Sequence, residues 1–149
     1  MSLLLALALG ATPEPVFECS FGAKQLIVTQ QGEALVYRYG TKKKAELRIV
    51  ADAASGRVFY NRRLYPRAES QTLRFVSGDT SYIVYAHWSA PSMGMTEEGS
   101  TPESYYGGLH VYRGGAELST RRCRTGGDMR EWPIFKSLPQ DEENLTPEE

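Results

Sequence analysis

Thirteen residues, Ser55 to Arg67 (SGRVFYNRRLYPR), carry four arginines and two tyrosines. Arginine offers a planar fork of donors that suits carboxylate or phosphate. Tyrosine adds flat area with a polar tip, and both types are enriched at binding hot spots. Ser55, Arg57, Tyr60, Arg62, Arg63, Tyr65 and Arg67 are therefore the candidate partner-binding residues. Lys42, Lys43 and Lys44 supply a second basic turn. The plain alternative is a solvated connection, or in part a strand whose Val58, Phe59 and Leu64 face the core.

Catalytic constellations are scarce. The two histidines, His87 and His110, sit in strand-like stretches and read as structural or surface residues. Neither H-E-x-x-H nor C-x-x-C occurs, so no metal framework is visible. No nucleophile elbow or phosphate loop is present, and Tyr105-Tyr106-Gly107-Gly108 lacks phosphate-loop spacing. Glu97, Glu98 and Glu103 lie in a long polar stretch, a poor support for acid–base chemistry. The expectation is a protein without catalytic residues, metal or cofactor, with a small hydrolase as the least favoured reading.

The two cysteines, Cys19 and Cys123, bracket the strand-rich region. An even number in an exported chain reads as one disulfide. Export is suggested by the start, MSLLLALALGATPEP. Leu3–Leu9 is an apolar run, and Ala8 and Gly10 fit the −3 and −1 positions of a cut before Ala11. No Lys or Arg precedes the run, which is atypical. Seven residues are about a third of a bilayer span, so no membrane anchor is expected.

The elements that must position these residues are short strands. Apolar and polar residues alternate at Leu26 and Val28, at Leu73 and Phe75, and at Leu109 and Val111. Gly114-Gly115 suits the positive φ of a primed hairpin turn. Eight strands are expected, drawn from VFECSF, KQLIVTQ, ALVYRY, AELRIVA, QTLRFVS, SYIVYAHW, GLHVYR and AELSTRRC. The fold class is all-β, an antiparallel barrel or sandwich. Residues 1–15 read as a signal peptide, 16–127 as the β domain, and 128–149 as an acidic, partly disordered tail. Within that tail, Trp132, Ile134 and Phe135 could dock as an apolar clip. The long loop Ser89–Gly107, with Met93 and Met95, could form a lid or contact arm.

Net charge is −1, but unevenly spread. Residues 16–127 carry 15 Lys/Arg against 10 Asp/Glu, and residues 128–149 carry 2 against 7. A domain of +5 is modest for nucleic acid, which is also a poor partner for an exported protein. It suits an acidic partner cleft or an anionic wall polymer.

In order along the chain stand Phe17-Glu18-Cys19, Tyr37-Arg38-Tyr39-Gly40, Glu46-Leu47, Gly107-Gly108-Leu109-His110-Val111 and Cys123. Over Phe17 to Cys123 this arrangement resembles a family of small exported bacterial β-proteins with one terminal disulfide. The resemblance implies fold and compartment, not an activity. Ser55-Gly56-Arg57-Val58-Phe59-Tyr60 is similar to the S-G-x-x-Y element of the periplasmic and membrane-bound inhibitors of c-type lysozyme, with the tyrosine one residue later. That likeness implies an eight-stranded antiparallel barrel and polar side chains offered to a lysozyme cleft. The second, lysine-glycine element of those inhibitors has no clear match. The functional expectation is a periplasmic or secreted binding protein, an inhibitor or immunity-type protein against a cell-wall hydrolase. The alternative is an envelope module that binds peptidoglycan or glycan through a Tyr/Arg face.

Overall fold

A computed structural model describes residues 14–92 and 97–143. Residues 1–13, which hold most of the expected signal peptide, residues 93–96 with Met93 and Met95, and the last six residues lie outside the described residues.

The chain first lays down β1 (Pro15–Ser20), β2 (Gln25–Gln31), β3 (Ala34–Gly40) and β4 (Ala45–Asp52). It crosses over and forms β5 (Val58–Tyr65), β6 (Ala68–Ser77), β7 (Thr80–Ser89), β8 (Ser104–Arg113) and β9 (Ala116–Arg122). It then returns as β10 (Thr125–Met129) to pair with β1. Sheet A has the order β10-β1-β2-β3-β4 and sheet B the order β5-β6-β7-β8-β9. All pairs are antiparallel. The result is a sandwich of ten strands. The closed barrel, one of the two expected architectures, is not formed.

Local chemistry explains the hairpins. Gly114 and Gly115 take φ of 57° and 81°, the primed turn expected of them. In β2 the alternation buries Leu26 and Val28, which pack with Leu73, Phe75 and Val84 of the other sheet in one core. The Tyr37 and Phe75 rings meet at 5.3 Å across that core. Burial drives the Tyr37 hydroxyl well above its ordinary pKa, so it stays neutral.

Two of the ten strands escape the sequence reading. β5 was expected mainly as an arginine-rich loop. It is a strand because Val58-Phe59-Tyr60 begins a favourable extended run, and its position at a sheet edge lets the following charges reach solvent. Val58 is fully buried, as the strand alternative has it, but Leu64 is 69% exposed and does not face the core. β10 carries Gly126-Gly127, a local turn signal. The glycines serve close approach instead. A Cβ at Gly107 would lie 2.3 Å from the Gly127 carbonyl oxygen, so β8 and β10 touch backbone to backbone there. The long loop is also shorter than expected, because β7 runs to Ser89 and β8 starts at Ser104.

Cys19 and Cys123 form a disulfide with a Cα–Cα distance of 5.3 Å. It ties β1 to the crossover between β9 and β10. Such bonds form and persist in oxidising compartments. No helix among the described residues is long and apolar enough to cross a membrane.

The boundary drawn at 127/128 falls inside β10. Beyond it, Pro133–Ser137 forms a 3-10 turn whose Ile134 and Phe135 are buried, together with Leu138. Phe135 stacks on Tyr60 at 4.6 Å. The backbone of Tyr60 then bonds Pro139 and Asp141, so the chain runs as a strap beside β5. Asp141 ends the strap in a buried ion pair with Arg74 at 3.0 Å.

Candidate functional site

Strands β5 to β8 pair without a bulge from Val58 to Val111, so their residues line up in straight rows across sheet B. Successive side chains along a strand alternate between faces. On the inner face the first row is Val58, Phe75, Tyr82 and Val111, and the second is Tyr60, Leu73, Val84 and Leu109. These rows belong to the core. The third row is Arg62, Gln71, Ala86 and Gly107, and the fourth is Leu64, Glu69, Trp88 and Tyr105. Within one strand length the same face passes from apolar to charged.

Small Ala86 and Gly107 in the third row admit β10 onto the sheet, where Gln71 Nε2 donates to the Met129 carbonyl at 3.0 Å. Beyond β10 the fourth row is left uncovered. A cavity of about 380 Å³ opens there, lined by Arg62, Glu69, Gln71, Ala86, His87, Trp88, Glu103, Tyr105, Asp128, Met129 and Glu131.

Its polar groups are organised. Arg62 donates to Glu69 at 2.5 Å and also pairs with Glu131. The Glu69 hydrogen bond favours the charged guanidinium and raises its pKa further. Trp88 Nε1 and the Tyr105 hydroxyl both donate to Glu103 Oε1, at 2.5 and 2.6 Å. These bonds from Tyr105 and Trp88 hold the Glu103 carboxyl below the usual carboxylate range. The same contact raises the Tyr105 hydroxyl. Asp128 lies near enough to Tyr105 to add to that effect. Deeper in, Tyr60 donates to Gln71 Oε1 at 2.7 Å, and burial lifts its pKa to about 12.

Strand alternation separates the seven residues singled out from the sequence. Tyr60 and Arg62 face inward, toward the core and the cavity. Arg63 is half-buried on the opposite face, and Tyr65 shares its parity near the hairpin tip. Ser55 and Arg57 are in the turn before β5, where Ser55 Oγ donates to Asp52 O and the Arg57 guanidinium to Val50 O, at 2.8 and 2.7 Å. Arg67, in the β5–β6 turn, bonds the Pro91 carbonyl. The stretch is therefore not one continuous Tyr/Arg face.

The remaining cavity residues were not singled out for binding. Glu69, Trp88, Asp128 and Glu131 come from strands and a returning segment far apart in sequence. Glu103 had been placed in a flexible loop, yet it sits at the foot of β8 between two donors. The usable signal was the period of two through Val58, Tyr60, Arg62 and Leu64.

The other face of sheet B carries an aromatic ladder. His87 bonds Ser70 at 2.7 Å and packs on Tyr106 at 4.8 Å, while His110 stacks on Tyr85 at 4.6 Å. Arg122 covers the Tyr106 ring at 4.3 Å. Both histidines are engaged in structural contacts. Among the described residues no group of three or more His, Cys, Asp or Glu is arranged to hold a metal.

No protein-family model matches the sequence, and no curated protein or solved structure matches it either.

Proposed function

We propose that the chain is an exported, non-catalytic binding protein of the periplasm or cell exterior, and that the open end of sheet B is its working surface. The single observation behind this is the convergence of an organised charged cavity with an exposed apolar rim. Leu64 and Tyr105, two of the four exposed large hydrophobic residues described, lie in the cavity's row, and a third, Tyr65, is at the adjoining hairpin tip. Leu64 and Tyr105 are separated by three strand spacings, about 14 Å. Exposed apolar residues around a polar pocket are a feature of protein-binding surfaces. The apolar start of the sequence and the Cys19–Cys123 bridge support export.

The partner we favour is a cell-wall hydrolase, held in an inhibitor or immunity-type complex. The acidic residues Asp128 and Glu131 change the charge argument. The domain is basic as a whole, but its cavity is acidic, which suits a basic lysozyme-type enzyme. A hydrolase role for this chain itself receives less support. Glycoside hydrolysis wants one carboxyl raised to serve as an acid, whereas Glu103 is held low.

The test is inhibition of c-type lysozymes and bacterial wall hydrolases by the oxidised protein. Stoichiometric inhibition of one enzyme, lost on Leu64→Asp, is the expected result. No inhibition across the panel would sink this reading. A second reading, binding of wall glycan, is favoured by Trp88 and Tyr105 beside carboxylates that can accept sugar hydroxyls. Retention on peptidoglycan sacculi, lost on Trp88→Ala, would support it instead.

A further inference from the structure

We infer that the cavity is a socket for a cationic side chain, arginine or lysine, presented by a protein partner. This rests on the binding-protein reading above and names the chemistry of the partner.

Four carboxylates line the cavity, from Glu69, Glu103, Asp128 and Glu131. Against them stands one guanidinium, that of Arg62; His87 also borders the cavity, but its ring bonds Ser70 on the other face of the sheet. Arg62 is already held by Glu69 and Glu131, so that half carries its own cation. The other half differs. Glu103 is oriented by an indole N–H and a phenol O–H, which fix the carboxylate without cancelling its charge. Asp128 adds a second negative charge beside the same tyrosine. The walls thus keep an excess of negative charge next to two aromatic rings.

That combination selects an organic cation. A guanidinium or ammonium gains charge-assisted hydrogen bonds from the carboxylates. It also gains cation–π attraction from Trp88 and Tyr105. The apolar rim decides between a free amine and a protein. A small ammonium ion would leave Leu64 bare, whereas a basic side chain carried on a protein surface covers it as it enters. Arg62 is an internal example of the chemistry, since it already fills the neighbouring carboxylate pair.

Arg62 also gives the test its sign. If the site served an anionic partner, Arg62→Ala would weaken binding. In a socket for cations, Arg62→Ala frees Glu69 and Glu131 and strengthens it. We would titrate the full chain by calorimetry with octa-arginine, octa-glutamate and chitohexaose at low and physiological salt. Octa-arginine should bind, more weakly as salt rises. Glu103→Gln with Asp128→Asn should weaken it about tenfold or more, one lost charge-assisted contact being worth that much. Arg62→Ala should tighten it several-fold, and Lys43→Gln, in the β3–β4 turn, should leave it unchanged. Matching melting temperatures establish that the variants are folded. Octa-glutamate binding as well as octa-arginine, an unchanged affinity in the double variant, or displacement of octa-arginine by chitohexaose would overturn the socket. The two proposals fail separately. Hydrolase inhibition that survives Glu103→Gln/Asp128→Asn defeats the socket alone. Octa-arginine binding without inhibition of any enzyme defeats the hydrolase reading alone.

Discussion

The inner face of sheet B holds two regions built on the same four strands. Around Leu73 and Val84 the face is covered by sheet A and packs into the apolar core. Four residues further along each strand, around Glu69 and Trp88, the cover ends and the face becomes a charged cavity. Pairing and register are continuous across the boundary. What changes is the occupant opposite. Where sheet A packs, an unpaired charge would carry a desolvation penalty. Where β10 stops, charge is tolerated, and Arg62, Glu69 and Glu103 can be organised for a partner.

The contrast can be broken most severely from the core side. Phe75→Ala should cost about 3–5 kcal/mol in denaturant unfolding, whereas Tyr105→Ala, in the uncovered row, should leave the unfolding midpoint almost unmoved. Asp141→Asn comes next. Arg74 and Asp141 are 5% and 8% exposed, and losing this anion leaves the buried guanidinium with only the exposed Glu143 carboxylate, at 3.6 Å. A loss of about 3 kcal/mol is expected, read from the same curves. Reduction of Cys19–Cys123 should lower stability by about 2–4 kcal/mol. An unchanged melting temperature in dithiothreitol, with both thiols confirmed free by alkylation, would contradict this.

The boundary itself is sharpened by pH. Tyr60 stands between the two regions, with a folded pKa of about 12 against an ordinary value of 10.0. A raised pKa favours the neutral phenol in the folded state. The stability it contributes is complete below pH 10 and is lost as pH rises toward 12. Tyr60→Phe should lessen the fall in stability over that window without abolishing it, because Tyr37 titrates in the same sense. The smallest effect belongs to Glu103→Gln, which should leave thermal stability within about 0.5 kcal/mol, as for surface substitutions generally.

The all-β class, the disulfide and the Gly114-Gly115 turn were legible because each is written in local pattern or in residue type. Leu26 and Val28 announce a buried face by alternation alone. The cavity was not legible in this way. Its carboxylates come from β6, the foot of β8, β10 and the segment after it, and only strand register and a returning chain bring them together. β5 was obscured because Arg62 and Arg63 suggest one basic surface, while the pleat sends them to opposite faces. β10 was obscured because its two glycines carry no side chain to show an alternation, and their use is contact with Glu18 and Gly107. The segment from Asp128 onward read as an acidic, partly disordered tail because its apolar residues have no period, although Trp132, Ile134 and Phe135 suggested a clip. Tyr60, Arg74 and the open side of the core determine where they go.

The pairing of β1 with β10 also orders events in time. During synthesis the first strand emerges early, but its outer neighbour follows only after more than a hundred further residues. Until Thr125–Met129 arrives, β1 has an open edge, and Cys19 waits as a thiol for Cys123. Contacts of such long range close late and slowly. The nascent chain therefore cannot complete this fold before almost all of it is made, and an early stop before β10 yields a product with an unguarded strand, prone to association with its own kind.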